Sequence, residues 1–195
     1  MKKLMLLILT ALTVLTLSAN TIHEWWYLGV ANTQLSNDYV KDVEKVAKDA
    51  GLDFKFGCLQ ALQLGYSFIV EFKNKFNWGM NAGYIEKGWT TESEGDEYTQ
   101  KNSYIEAILR GGYSMPEIIN IPWYPYVGMG YTAFLNSDSS VKSYTGHHFS
   151  FVAGLDINFS GKAMLGINCN MGLTEVMKNT DAKFRTYNIT LGRKF

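Results

Sequence analysis

The sequence predicts an all-β protein, an eight-stranded antiparallel up-and-down transmembrane β-barrel with one short helix in its first external loop. Three observations carry this expectation. Apolar residues alternate with polar residues or glycine in eight successive segments, and alternation of period two puts one side-chain set on each face of a strand. Most segments run about 9 to 12 residues, the length of a tilted strand crossing a bilayer. The polar face is rich in glycine and poor in Lys and Glu, as the inside of a narrow barrel requires and a water-washed sheet does not.

The chain opens on MKKLMLLILTALTVLTLSAN, with two lysines, an apolar stretch from Leu4 to Leu17 and a small-residue end at Ser18 and Ala19. This predicts a signal peptide over residues 1–19, its apolar part too short for a spanning helix, and a barrel domain over 20–195. Cleavage leaves 195 − 19 = 176 residues carrying 16 Lys/Arg against 18 Asp/Glu, a net charge of about minus two once Lys2 and Lys3 are gone. Without a basic excess or a nucleic-acid motif, no nucleic acid is expected as a partner. No later apolar run is long enough to span as a helix, so any span is a strand.

The strands are expected near 25–32, 57–68, 76–86, 103–113, 124–135, 147–159, 162–173 and 184–195. In FNWGMNAGY, Phe76, Trp78, Met80, Ala82 and Tyr84 oppose Asn77, Gly79, Asn81 and Gly83. HFSFVAGLDINF sets Phe149, Phe151, Ala153, Leu155, Ile157 and Phe159 against His148, Ser150, Val152, Gly154, Asp156 and Asn158. A soluble lipocalin-like lipid carrier would turn the apolar face inward; glycine on the polar face favours the membrane barrel instead. Longer polar stretches, Thr33 to Phe56, Lys87 to Asn102, Asn136 to Gly146 and Thr174 to Lys183, fall on one side and short turns on the other, which makes the long side external and the termini periplasmic. The exception is SMPEIINIPWYP, which holds all three prolines. In the first long stretch SNDYVKDVEKVAKDAG predicts a helix, capped by Ser36 or Asn37, ended by Gly51, and packing Tyr39, Val43, Val46 and Ala50 onto loops or rim.

PWYPYVGMGYTAFL, FSFVAGLDINF, and MGLTE followed by YNITLGRKF resemble the small outer-membrane β-barrel domain family, the porin-like or PorT-like barrels of Gram-negative bacteria. WWYLGVAN and LQLGYSFIVEFKNKFNWGMNAGY extend the likeness over most of the mature chain. The resemblance implies an eight-stranded outer-membrane barrel and no catalytic residues. The helical first loop and the pair His147 and His148 depart from it.

Glu106, Arg110, Asp156 and Lys194 fall on the lumen face and are expected to form an interior polar network, since charges in a narrow barrel must pair; Gln63, Asn77, Asn81, Asn168, Asn170 and Asn188 complete its hydrogen bonds. Eight strands leave an interior that side chains fill, which argues against a diffusion pore. His148, Ser150 and Asp156 share a face and suggest an enzyme acting on lipid A, but they point into the lumen and His148 lies about 26 Å of extended strand from Asp156. His147 and His148 point to opposite faces and make a poor metal site. No catalytic, cofactor or metal residue is therefore identified, and no cofactor is expected. Glu92, Glu94, Asp96 and Glu97 are expected in a solvated acidic loop. Trp25, Trp26, Trp78, Trp89, Trp123 and Tyr124 are expected in aromatic girdles, and Cys58 and Cys169 as free thiols. The ending TYNITLGRKF resembles the signal by which the outer-membrane assembly machinery recognises its clients, carried by Tyr187, Ile189, Leu191 and Phe195. The expected role is non-enzymatic, structural or surface-interacting through the external loops, with outer-membrane lipids, the assembly machinery and extracellular or host ligands as partners.

Overall fold

The computed structural model describes residues 21–118, 121–137, 146–159, 161–177 and 180–194. The expected signal peptide and the expected assembly residue Phe195 lie outside the described residues. The strands are β1 (Thr21–Leu35), β2 (Phe54–Glu71), β3 (Phe76–Ser93), β4 (Asp96–Tyr113), β5 (Met115–Ile118), β6 (Ile121–Ser137), β7 (His147–Asn158), β8 (Ala163–Gly172) and β9 (Phe184–Lys194), with helix α1 (Asn37–Asp49) between β1 and β2. β1 to β4 pair antiparallel in sequence, as do β5 to β9, β1 pairs with β9, and β4 pairs with β6, so eight strands close into one ring. A closed ring leaves no barrel edge unsatisfied, which a strand in hydrocarbon requires.

The ninth strand is not an extra stave. Gly112 stands opposite Tyr126 and Met115 opposite Trp123, so β5 continues β4 in the same register past a break at Ser114, whose N–H donates to Lys75 O at 2.7 Å. Residues 114–118 and 121–125 are thus the far end of a long β4/β5–β6 hairpin.

Burial is inverted relative to a water-soluble protein. Leu28, Val30, Leu62, Leu64, Leu109, Val127, Ile189 and Leu191 are exposed, while Gln63, Asn77, Glu106, Arg110, Asp156, Asn168, Asn170 and Asn188 are buried. The lipocalin-like alternative needs the reverse. Glycine makes room inside for larger neighbours: a Cβ on Gly154 would lie 2.5 Å from the Tyr126 ring, and one on Gly65 2.5 Å from the Tyr27 hydroxyl.

The strands overrun several expected boundaries. Lys87 to Asn102 is not a loop but the paired ends of β3 and β4, joined at Glu94 and Gly95 with φ of 55° and 90°. Two residues of positive φ give the turn whose twist matches a hairpin. Helix α1 ends at Gly51, φ 77°, as expected, but its N-cap Ser36 makes no side-chain cap. Instead Ser36 N–H donates to Lys183 O at 2.8 Å and its hydroxyl to Asp181 O at 3.4 Å, tying the helix to the last loop. Its packed residues are Tyr39 and Val40; Val46, expected in the packed stripe, is 69% exposed, and Ala50 is exposed as well.

Candidate functional site

The interior charges sit at three levels. At mid-barrel, Arg110 on β4 and Asp156 on β7 form an ion pair at 2.5 Å, with side chains 2% and 5% exposed. The guanidinium also donates to Ser67 Oγ at 3.3 Å and lies 4.2 Å over the Tyr126 ring, a cation–π contact. Tyr126 can occupy that place because its cross-strand partner is Gly154. Ser67 in turn donates to Asn81 Oδ1 at 2.9 Å.

Nearer the α1 end, Glu106 on β4 accepts from Lys87 Nζ at 2.7 Å and Asn170 Nδ2 at 3.1 Å, and Lys87 also reaches Thr132 Oγ1 at 3.3 Å. Lys87, which the sequence reading places in a loop, belongs to this interior set. The alternation Ile85, Lys87, Trp89 continuing past Gly83 was the signal that could have found it. At the opposite end Lys194 joins neither pair. Its Nζ is 3.4 Å from His23 Nδ1, and His23 Nε2 is 3.4 Å from Glu71 Oε2. Of the expected amides, Asn188 donates to Asn168 Oδ1 at 2.7 Å, Asn77 to Ser114 Oγ at 3.2 Å, and Gln63 is buried.

Apolar layers close this column at both ends. Toward α1, Leu35, Ile85, Trp89, Tyr104, Val176 and Phe184 pack together under Tyr39 and Val40; toward the turns, Trp25, Ile69 and Met164 do the same. Trp25, Trp89 and Tyr124 are therefore buried rather than in girdles, while Trp26 is exposed and Trp78 and Trp123 are half-buried on the outer face. Beneath the upper layer, the space beside Lys87, His148, Ser150 and Asn170 is about 10 Å3, roughly one water.

His148 and Ser150 both face this interior, each 5% exposed. The His148 ring packs against Phe184 and Tyr104, and Asp156 is engaged by Arg110. The three are not brought into a relay. His147 points outward and shares a 2.7 Å hydrogen bond with the Tyr131 hydroxyl. Among the described residues no group of three or more His, Cys, Asp and Glu is placed to hold a metal, and Cys58 and Cys169 are unpaired.

Outside the barrel, the ends of β2, β3 and β4 continue as a three-stranded blade. Among the described residues, β1 pairs β2 as far as Leu59 and β6 pairs β4 as far as Asn102, whereas β2–β3 and β3–β4 pairing runs on to Phe54 and to the Glu94–Gly95 turn. The run from Lys87 to Glu94 is about 23 Å of strand. Its tip carries Asp53, Glu92, Glu94, Asp96 and Glu97 against Lys55, and Glu92 stands directly opposite Glu97.

An apolar outer wall, a filled polar lumen and a closed ring define a transmembrane β-barrel. The chain belongs to the family described as outer membrane protein beta-barrel domain, whose match covers residues 5–195, and it resides in the outer membrane of a Gram-negative bacterium. Comparison with curated proteins finds no match. Among solved structures it is similar to Ail, the attachment invasion locus protein of Yersinia pestis, at 14% identity over 89% of this chain and 98% of that one, TM-score 0.49. It is similar to the outer membrane protein OprG from Pseudomonas aeruginosa at 14% identity over 89% and 96%, TM-score 0.46. It is also similar to the outer membrane enzyme PagL at 9% identity over 85% and 97%, TM-score 0.41.

Proposed function

We propose that this barrel is a non-enzymatic surface-interaction protein whose blade engages a positively charged partner outside the cell. The observation that carries the reading is the facing pair Glu92 and Glu97 at the blade tip. Like charges directly opposite on a ladder are destabilising, and among the described residues of the tip the one cation is Lys55, across the β2–β3 ladder from Glu92 and 3.5 Å from Asp53. A local rule broken on an exposed projection is a mark of function rather than of folding. The filled and capped lumen supports a role outside the barrel rather than solute passage. The inward direction of His148 and Ser150 supports the non-enzymatic reading over the lipid A-modifying one. The interior network of Glu106, Arg110 and Asp156, joined by Lys87, then serves to hold the staves in register beneath the blade.

The test compares cells displaying the native barrel with cells displaying E92Q/E94Q/D96N/E97Q, for adhesion to immobilised matrix proteins at rising salt. Native cells should adhere in a salt-sensitive manner and the variant should lose most of that adhesion. Equal adhesion by both would remove the blade from the function. Lipid A mass spectra should be the same for the native barrel and Ser150→Ala; a species lost in the variant would restore the enzyme reading.

A further inference from the structure

The outer wall has a concavity that the barrel itself does not explain. It lies at the turn end of the β4–β6 seam, has a volume of about 500 Å3 and is walled by Phe76, Gly111, Tyr113, Pro125 and Val127. Its floor exists because Gly111 presents no side chain: a Cβ built there meets nothing within 4 Å. This sets it apart from the lumen glycines, whose missing side chains are replaced by neighbours. Here no neighbour fills the space, and the depression stays broadly open to the outside of the wall.

Two further observations specify the occupant. The groove is continuous with the lipid-facing band: Phe76, Tyr113 and Val127 are all exposed on it, and above them lie Leu109 and Met129, themselves paired across the seam. Its lower lip is the cross-strand pair Phe76 and Tyr113. Immediately below, the turn of Phe72 to Lys75 brings two exposed cations, Lys73 and Lys75, to the same edge, with the Lys75 carbonyl bonded to Ser114 N–H, one residue past Tyr113. The Lys75 side chain is 60% exposed, with its Nζ 3.6 Å from Glu71 Oε1. An apolar trough rising into the bilayer from a cationic lip matches a molecule with an anionic head and a hydrocarbon tail.

We propose that this groove is a binding site for one phospholipid of the periplasm-facing leaflet, with an acyl chain laid over Gly111 and its phosphate against Lys75. Pro125 suits the wall because it offers no N–H to the hydrocarbon. The level in the membrane selects the leaflet: the blade and α1 are at the other end, where lipid A lies. The site is independent of whatever the blade binds.

The full-length protein in mild detergent is mixed with palmitoyl-oleoyl phosphatidylglycerol and the retained lipid is counted by native mass spectrometry. Gly111→Trp fills the trough from a position where its Cβ meets nothing within 4 Å, and the heat-dependent shift on a gel confirms that the variant is folded. The native barrel should retain one lipid. Gly111→Trp and Lys75→Gln should each lower that occupancy about tenfold, the scale of 1.4 kcal/mol in affinity. Lipid A, run in parallel, should show no dependence on Gly111. Equal phosphatidylglycerol retention by native protein and Gly111→Trp would mean annular lipid alone and would overturn the proposal, as would a Gly111-dependent preference for lipid A.

Discussion

Replacing Asp156 with Asn removes a charge and almost no volume. The side chain keeps an oxygen for the Arg110 guanidinium, so no cavity opens and the measured effect is electrostatic. Among the described residues Asp156 is the sole anion paired with Arg110, at 2.5 Å; the guanidinium's contacts with Ser67 Oγ and the Tyr126 ring are with uncharged groups. Breaking a buried pair by removing one partner costs about 3–5 kcal/mol, because a buried charge is left uncompensated. At 1.36 kcal/mol per decade, that is roughly two to four decades in the folded-to-unfolded ratio. The exposed pair Lys55 and Asp53, with side chains 65% and 78% exposed, sets the scale of contrast, since such pairs contribute about 0.2–1 kcal/mol. Urea unfolding in phospholipid vesicles, followed by tryptophan fluorescence, reads both. The double replacement R110M/D156L should restore most of the loss, because an apolar pair of similar volume is often neutral or stabilising by about 1–4 kcal/mol. A D156N midpoint within the error of the native protein would refute the view that this lumen is dry enough for an unpaired guanidinium to matter.

Gly154→Leu should destabilise by about 1–3 kcal/mol or more through overpacking, since its Cβ alone would stand 2.5 Å from the Tyr126 ring and 2.7 Å from Asn168 Cβ. Gly111→Ala, two strands away and facing outward, should be neutral or stabilising in the same urea assay. Deletion of Phe195 is expected to lower the amount of protein in the outer-membrane fraction severalfold while leaving the urea midpoint of the refolded protein within about 0.5 kcal/mol. Normal outer-membrane levels would count against an assembly role for that residue.

The ring was legible because a barrel wall repeats one simple rule. Phe76 to Tyr84 and Phe149 to Phe159 alternate without interruption, and glycine on the polar face told which side was lumen. The blade was not legible. Above Gly83 the alternation passes through Glu86, Lys87 and a run of Thr, Glu and Ser, a composition that a loop shares with a solvated strand. What distinguishes them is ladder pairing with β2 and β4, a non-local fact. Reading that stretch as a loop leaves Glu106 without its Lys87 partner, and Lys194, expected in the same network, lies at a different level of the lumen beside His23. Trp25 and Trp89 were misplaced for a related reason: an aromatic near a strand end reads as a girdle residue, and only the end caps reveal that a narrow barrel needs bulky apolar stoppers. The Gly111 groove had a faint signal, an outward glycine in GGY beside the proline-rich run, but its depth depends on which strand faces it.

The seam between β1 and β9 joins Trp25 to Lys194 and Leu35 to Phe184, contacts about as distant along the chain as this sequence permits. Such a topology postpones its reward. Until β9 is available, every partial structure is an open sheet with two free edges, and the entropy of bringing the ends together is spent before those contacts repay it. Neither edge can be tolerated in hydrocarbon, so a half-built wall has no stable residence in the bilayer. Closure and insertion are therefore one event, and the chain must be kept from pairing with other chains until its final strand arrives.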